Sequence, residues 1–495
     1  MRTLAVRPYS ACYAPSVQVY FDPNGDVRAC CRNARHPLGN VAVDRLRDIW
    51  AGDRRAALID HLAVDDWSLG CQGCGTEVAQ EGRDGSYPAS FDGRATHLDG
   101  DPASGAWPNF MEFNLSNACN LQCLQCNGDL SSSIRIHREH RAPLPAVYGD
   151  EFFEDLALFL PHLRQAQFAG GEPFLGAENF RAWDLITEVA PGLPCTVVTN
   201  ATQWNARVED VLDRLDMSFV FSLDGITKET YESIRLGADI DAVLANVDRF
   251  CAYARERGTT VMINHCLMVQ NVHEFADLLL FADARDIPVN VSVVHHPGHC
   301  SIARLPRSEM QAVHELLVSQ AAEVGPRLGR NAATWERELA RIASWVASGA
   351  GAGVEDSEWA ASAYEILDLP RQGDGPYDDS TARVTIDAFA DDAVHVVSVG
   401  PDDVIRSCHP APEQMFGVPS GEFVGRPVAD LRNLRTAQYG LMSDYQVVNA
   451  DLNQVDALAR CGDSEFRISL VAVRDEHGWA DEGRIVVGRR ARTQA

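Results

Sequence analysis

Three cysteines within eight residues constrain this chain more than any other feature. Cys119, Cys123 and Cys126 follow one another at a C-x3-C-x2-C spacing. The segment 110–115 before them alternates apolar and polar side chains, which predicts a short strand. The segment 129–138 after them opens with Asp and Ser residues that cap helices, which predicts a helix. The spacing therefore places three thiols on the loop leaving the C-terminal end of a strand, where α/β folds keep their chemistry.

Three thiolates this close predict an iron–sulfur cluster. Such clusters normally take four ligands, so one iron would stay open for another molecule. The alternatives are three unrelated buried thiols or a zinc site, although zinc usually takes a fourth Cys or His and none lies close in the sequence. The spacing resembles that of the radical S-adenosylmethionine (radical SAM) superfamily. The resemblance implies that Cys119, Cys123 and Cys126 hold a catalytic [4Fe–4S] cluster that reductively cleaves S-adenosylmethionine to a 5′-deoxyadenosyl radical. The family usually has an aromatic residue before the third cysteine, where this chain has Gln125.

Length and composition limit the number of domains, the cellular location and the partners of such a protein. A chain of 495 residues predicts two to four domains. It has no run of about 18 apolar residues and no signal-peptide core, so we expect a cytoplasmic protein without a membrane partner. A formal charge of −27 argues against binding nucleic acid over a broad surface. In a cytosolic chain, 14 cysteines point to metal or redox chemistry rather than disulfides.

Residues 1–80 form a predicted α+β module rich in cysteine. Segments 17–21 and 27–30 flank a Pro-Asn-Gly turn and predict a β-hairpin. Four thiols can close one site, which by ligand type would suit a [4Fe–4S] cluster or zinc equally: Cys12, Cys30, Cys71 and Cys74. Their order resembles the auxiliary-cluster module called SPASM, or its shorter form, twitch. The resemblance implies an auxiliary [4Fe–4S] cluster. Cys31 is the alternative to Cys30, which the Gly25-x4-Cys spacing favours.

Residues 105–350 alternate strand and helix patterns, as in βα units around a parallel sheet. Six strands are predicted, at 110–115, 165–169, 195–199, 218–223, 260–269 and 289–294. Helices are predicted at 307–324 and 332–347. The whole fold is predicted to be α/β, and the six units resemble the partial (βα)6 barrel of radical SAM enzymes.

Polar motifs follow several of these strands. Two adjacent glycines after the second strand allow a backbone to approach a ligand closely. The sequence Gly-Gly-Glu-Pro resembles the family motif that holds the amino group of S-adenosylmethionine, and Ser-Leu-Asp-Gly after the fourth strand resembles a segment near its ribose or carboxylate. The resemblance implies cofactor contacts by Gly170, Gly171, Glu172, Pro173, Asn200, Ser222, Asp224 and Arg235.

Other reactive side chains have weaker assignments. His295, His296, His299 and Cys300 follow the sixth strand, where they would contact substrate or handle protons, or simply form a polar loop with one buried thiol. Cys195, Cys251 and Cys266 lie in apolar patterns and are predicted to be core residues, with Cys266 a candidate for the barrel interior.

The C-terminal quarter changes character. Residues 351–381 are acidic and rich in glycine, which predicts a linker. Residues 382–495 resemble an α+β PAS domain through two strand pairs and a Gly-Arg-Pro segment. The resemblance implies a regulatory or association role, with Cys408 and His409 as candidate ligands.

The sequence therefore predicts a radical SAM enzyme whose substrate it does not reveal. The resemblance implies a relation to enzymes with auxiliary clusters, many of which oxidise or crosslink peptides. A peptide or protein substrate is therefore favoured. Dehydrogenation of a small sugar-like alcohol and a PAS-coupled iron–sulfur sensor are the alternatives. A flavodoxin or ferredoxin is the implied electron donor. Four thiolates on the auxiliary cluster would leave no open iron, which favours electron transfer over substrate ligation.

Overall fold

The computed structural model of the protein describes residues 10–95, 107–139, 141–294 and 300–348, and the backbone of five strands between residues 394 and 489. The chain divides into two compact units. One contains the described residues of 1–30, 38–60 and 91–370, and the other those of 31–37, 61–90 and 371–495. The predicted module limits at residues 80, 105 and 350 stay predictions.

A nine-stranded sheet is the centre of the first unit. The strands before residue 349 are β1 Gln18–Phe21, β2 Asp26–Arg28, β3 Gly39–Asn40, β4 Phe110–Phe113, β5 Gln122–Cys123, β6 Gln165–Phe168, β7 Cys195–Thr199, β8 Met217–Ser222, β9 Arg235–Leu236, β10 Val261–Leu267 and β11 Val289–Val293. The sheet order is β11-β10-β8-β7-β6-β4-β1-β2-β3, while β5 and β9 pair with each other. From β11 to β1 every pair is parallel, and β2 and β3 complete the sheet in antiparallel fashion.

The six strands predicted between residues 110 and 294 are all present, and the parallel α/β sheet is confirmed. The closure of this sheet into a partial barrel stays a prediction. The N-terminal hairpin is also confirmed, because β1 and β2 pair antiparallel around the predicted turn. Its position was not predicted: β1 runs parallel to β4, with Gln18 opposite Phe110 and Phe21 opposite Phe113. The hairpin is therefore part of the main sheet.

Helices pack against this sheet. The helices are α1 Ala14–Val17, α2 Leu46–Trp50, α3 Asp53–Leu62, α4 Gln72–Glu81, α5 Asp92–Ala95, α6 Ser132–His137, α7 Asp150–Phe159, α8 Ala177–Val189, α9 Ala206–Arg214, α10 Lys228–Ile234, α11 Ile240–Arg257, α12 Phe275–Asp283, α13 Arg307–Val324 and α14 Ala332–Ser348. Trp183 of α8 packs on Phe168 of β6 with ring centroids 5.2 Å apart, and Phe250 of α11 packs on Phe219 of β8 at 4.6 Å. These contacts place the apolar core between helices and sheet. No helix in the described part of the chain is long and apolar enough to span a membrane.

A second sheet lies in the C-terminal region. Its strands are β12 Val394–Val399, β13 Ile405–His409, β14 Gln454–Cys461, β15 Ser464–Arg474 and β16 Ala480–Arg489, in the antiparallel order β13-β12-β16-β15-β14. The strand pairs expected at the two ends of the region are present. Cys408 and His409 lie within β13. The predicted linker at 351–381 lies outside the described residues.

Candidate functional site

The three-cysteine loop is held by backbone pairing at its middle and by the start of the helix that follows it. Cys123 lies in β5 and pairs antiparallel with Arg235 of β9. Ser132 Oγ accepts a hydrogen bond from the Cys119 amide at 3.1 Å. Ser131 is the N-cap of α6, and its hydroxyl accepts the Ile134 amide at 3.2 Å, so the helix predicted after the loop is confirmed. The thiols therefore lie on a loop that begins at the C-terminal end of β4.

The electrostatics of the three thiols suit a cationic cluster. The pKa of Cys119 is raised to about 11 and that of Cys126 to about 12, mainly by burial and in smaller part by the charge of the neighbouring thiolates. Three thiolates gathered here require positive charge, which the irons of a cluster supply. In the described ranges no three His, Cys, Asp or Glu side chains converge on one point where a single metal ion would lie. In a cubane cluster each thiolate binds a separate iron, which requires a wider spacing.

Arg138 adds positive charge beside the same loop, and sequence reasoning missed it. Its guanidinium donates to the carbonyl oxygens of Cys126 and Cys123, the latter at 3.2 Å. Its charge also opposes the burial that raises the pKa of both thiols. No motif in the sequence identifies this arginine, because it contacts the loop only after α6 has brought it there.

The adjacent glycines pack directly against the loop. Gly170 and Gly171 have positive φ angles of 76° and 55°. A Cβ on Gly171 would lie 2.4 Å from the carbonyl oxygen of Ala118, the residue before Cys119. The Glu172 amide donates to that same oxygen at 2.7 Å. Glycine is therefore needed here both for conformation and for the close approach.

Glu172 connects two strand ends. Its Oε1 accepts from Thr199 Oγ1 at 2.8 Å and its Oε2 from the Asn200 amide at 2.7 Å. The side chain is 1% exposed, and burial raises its pKa to about 7 although these hydrogen bonds oppose the rise. Its carboxylate thus holds the end of β6 against the end of β7. Pro173 follows it, and its carbonyl accepts from Asn179 of α8.

Asn200 extends from the end of β7 toward the first cysteine. Its Nδ2 lies 3.9 Å from Cys119 Sγ and donates to Asn120 Oδ1 at 3.3 Å. Its Oδ1 accepts the Thr202 amide at 2.9 Å. The structure therefore brings this predicted polar loop to the cysteine loop.

Asp224 and Arg235 form a fully buried ion pair beside Cys123. Arg235 Nη2 lies 2.6 Å from Asp224 Oδ2, and Arg235 Nη1 donates to Cys123 Sγ at 3.7 Å. Burial lowers the pKa of Arg235, but the charges of Asp224 and Cys123 outweigh it and hold the pKa well above its ordinary range. Gln125 Nε2 donates to the same carboxylate oxygen at 2.7 Å, and the Cys266 amide donates to Oδ1 at 2.8 Å. The carboxylate is thus fully engaged by the protein.

Ser222 and the remaining cysteines have simpler surroundings. Ser222 is partly exposed at the end of β8, opposite Asn264 of β10. Cys195 is buried as predicted, whereas Cys251 and Cys266 are only partly buried. Cys300 is fully buried in an apolar cluster with Ile234, Met268 and Val294, and His295, His296 and His299 lie outside the described residues.

The thiols of the predicted auxiliary site occur in both units. Cys12 and Cys30 are buried in the first unit. Cys71 and Cys74 belong to the second, where Cys71 is the N-cap of α4 and Cys74 lies in its first turn. Cys31 is exposed, and its Sγ lies 3.1 Å from the hydroxyl of Tyr87.

Comparison with protein families agrees with the geometry of the cysteine loop. Residues 113–282 match the family model of the Radical SAM superfamily. This segment is a radical SAM domain. Residues 12–75 match the SPASM iron–sulfur cluster-binding domain. The radical SAM domain binds a [4Fe–4S] cluster and S-adenosylmethionine, and the SPASM domain binds an auxiliary iron–sulfur cluster. The resemblance of the loop spacing to this superfamily is thereby confirmed.

More distant similarities involve parts of the chain. A GTP 3′,8-cyclase of Rhodococcus opacus is 26% identical over 175 residues, 34% of this chain and 46% of the cyclase, so the chain spans about half the length of this curated relative. Among solved structures, anSMEcpe with bound AdoMet is 16% identical, over 44% of this chain and 63% of its own, with a TM-score of 0.33. Streptococcus suis SuiB bound to the precursor peptide SuiA is 14% identical over 57% and 63%, with a TM-score of 0.32. Both scores are too low to transfer a substrate or mechanism.

Proposed function

We propose that this chain is a radical SAM enzyme that cleaves S-adenosylmethionine reductively and abstracts a hydrogen atom from a peptide or protein substrate. The observation that carries the first part is the close packing of Gly171 against Ala118, beside Cys119. This packing supports a site in which the glycine backbone and the three thiols contact the same ligand. When bound, the cluster and S-adenosylmethionine supply the 5′-deoxyadenosyl radical; the chain's own residues bind, orient and exclude water.

The roles of the surrounding residues follow from their contacts. Cys119, Cys123 and Cys126 are the proposed cluster ligands. Gly170 and Gly171 offer the backbone to the amino group of S-adenosylmethionine, while Glu172 and Pro173 hold that turn in place. Asn200 and Ser222 remain proposed cofactor contacts. Asp224 and Arg235 act through Cys123, because their charged groups already bind each other and the loop.

The sheet face opposite α8 and α11 supports a substrate rich in hydrogen-bonding groups. Side chains alternate along the parallel strands, and from β6 to β11 this face carries eight amides and hydroxyls beside Val198, Val220, Met262 and Cys266. The eight polar residues are Gln165, Gln167, Thr196, Ser218, Ser222, Asn264, Asn290 and Ser292. Such groups suit the peptide backbone, and they also suit a sugar-like alcohol, which is therefore the second candidate.

Cyclisation of GTP, the reaction in the name of the Rhodococcus relative, is less well supported. A triphosphate is usually bound by Arg, Lys or a metal ion. Strands β4, β6, β7, β8, β10 and β11 contain neither Arg nor Lys. These six strands therefore offer a triphosphate no basic side chain.

The deciding experiment is anaerobic 5′-deoxyadenosine formation with dithionite, or with flavodoxin or ferredoxin as electron donor. Host-cell extract is added as separate macromolecular and small-molecule fractions. Stimulation by the macromolecular fraction, lost after protease treatment, supports a peptide or protein substrate. Stimulation by the small-molecule fraction supports the alcohol, and a rate that neither fraction raises supports the PAS-coupled sensor.

The matched control replaces Cys119, Cys123 and Cys126 by Ala. The wild-type chain is expected to hold about eight irons and the variant about four. Cleavage that survives in the variant would overturn the proposal, and four irons plus one zinc in the wild type would remove the four-thiolate auxiliary [4Fe–4S] assignment.

The C-terminal region is proposed to be PAS-like, with a regulatory or association role. Its five-stranded antiparallel sheet supports this reading. Truncation before residue 380 is expected to leave deoxyadenosine formation intact. Loss of the activity in a truncated protein that still unfolds cooperatively would make the region part of the catalytic unit.

A further inference from the structure

The two residues after Cys31 reach the thiols of the Cys71–Cys74 pair. Asn33 Nδ2 donates to Cys71 Sγ at 3.0 Å. The Arg32 guanidinium is hydrogen-bonded to the Cys74 thiol and lies close enough for its charge to act on it. All four residues belong to the second unit. One neutral and one charged N–H group thus point at two neighbouring sulfurs.

Both donors are held in place by further contacts. Arg32 also pairs with Glu77 of α4, and its Cζ lies 4.0 Å from the centre of the Tyr87 ring. Asn33 Nδ2 also donates to the Leu69 carbonyl at 3.0 Å, and its Oδ1 accepts the His36 amide at 3.2 Å. Because each side chain is anchored at more than one point, neither needs to be ordered when a cluster binds.

The two thiols also lie at the start of a helix. Cys71 and Cys74 open α4, so the positive end of that helix lies beside both sulfurs. Asn33 reaches the Cys71 sulfur and Arg32 reaches the Cys74 sulfur, so each side chain stabilises negative charge on one of them.

We propose that Arg32 and Asn33 raise the reduction potential of the auxiliary cluster and so fit it to accept an electron. Reduction from the 2+ to the 1+ state adds one negative charge to the cluster and its sulfurs. Hydrogen bonds to sulfur and a nearby cation stabilise that charge, which makes the potential less negative. The proposal rests on the ligand roles of Cys71 and Cys74 within the proposed function, and it goes beyond them by assigning the residues that set the potential.

The test uses the full chain with Cys119, Cys123 and Cys126 replaced by Ala, so that only the auxiliary cluster remains. The protein is reconstituted anaerobically and titrated with dithionite, which supplies the electron, and the reduced cluster is followed by electron paramagnetic resonance. Arg32→Gln removes the cation at similar length, and Asn33→Asp replaces the N–H donor with a charged oxygen while keeping the acceptor for His36. Both are expected to shift the midpoint potential to more negative values.

The matched control is Arg83→Gln, which removes the same charge from another position of the second unit. Its midpoint potential should equal that of the parent. If Arg32→Gln fails to hold iron, Arg32→Lys is titrated instead, and the loss of the forked donor should give a smaller shift of the same sign. Unchanged potentials in the Arg32 and Asn33 variants, or zinc in place of iron in the parent, would overturn the proposal. No S-adenosylmethionine is present, so failure of the proposed reaction would appear separately in the deoxyadenosine assay.

Discussion

Gln125 and Asp224 lie 99 positions apart in the chain, and Gln125 Nε2 donates a hydrogen bond of 2.7 Å to Asp224 Oδ2. The same oxygen pairs with Arg235, whose other nitrogen lies 3.7 Å from Cys123 Sγ. Gln125, the residue before the third cysteine, is therefore hydrogen-bonded to a buried carboxylate. In this chain Gln125 connects the three-cysteine loop to the Ser-Leu-Asp-Gly segment.

Replacement of Gln125 by Leu should lower the free energy of unfolding by about 1.5–3 kcal/mol, since a hydrogen bond to a buried charged group is lost while side-chain volume is kept. Urea unfolding of the apoprotein measures this. Gln311→Leu, at an exposed position of α13, is the control and should change stability little. Equal stability of Gln125→Leu and wild type would contradict a structural role for the amide.

Arg235→Met should destabilise the chain by about 3–5 kcal/mol, because it leaves the fully buried Asp224 carboxylate without its cation. The double variant Arg235→Met, Asp224→Asn should regain much of that loss. Arg330→Met breaks the exposed pair with Asp286 and should have little effect. The prediction is wrong if the double variant loses as much stability as the two single variants added together, as measured by urea unfolding.

Gly171→Ala should weaken S-adenosylmethionine binding, because the new Cβ would lie 2.4 Å from the Ala118 carbonyl and displace the cysteine loop. Gly258→Ala is a matched control: its φ is also positive, at 70°, but no atom lies within 4 Å of the added Cβ. Both variants should lose stability of about 1 kcal/mol from backbone strain. Calorimetric titration of the reconstituted proteins should show a weaker affinity only for Gly171→Ala; equal affinities in the two would count against the glycine cradle.

The stability of the chain should depend on pH through Glu172. Its pKa is raised by burial from 4.5 to about 7, so the folded state favours the protonated acid. The resulting stabilisation is fully present below pH 4.5 and is lost as the pH rises through about 7, a change of about 3 kcal/mol.

Glu172→Gln should remove that part of the pH dependence, because the amide cannot ionise. Urea unfolding of the apoproteins at pH 5 and pH 8 gives the comparison. Glu112, whose pKa burial also raises to about 7, is present in both proteins, so the difference between them isolates Glu172. Parallel pH profiles would show that Glu172 does not titrate in this range.

Local sequence patterns specify several parts of this protein. Alternation of apolar and polar residues located the six parallel strands between residues 110 and 294, because each strand buries one face in the core. The cysteine spacing and the paired glycines marked the two loops that meet at Cys119, because each motif is short and chemically specific.

Contacts between groups far apart in the chain follow from the tertiary fold and not from local patterns. The backbone hydrogen bonds that join β1 to β4 are the same for any sequence, so no residue pattern foretold that the N-terminal hairpin joins the main sheet. Arg235 and Cys123 are 112 positions apart, and their contact follows from the pairing of β5 with β9. A buried charge is stable only where the fold places a group of opposite charge beside it. For that reason Asp224, Arg235 and the three-cysteine loop, through Gln125 and Cys123, form one hydrogen-bonded network.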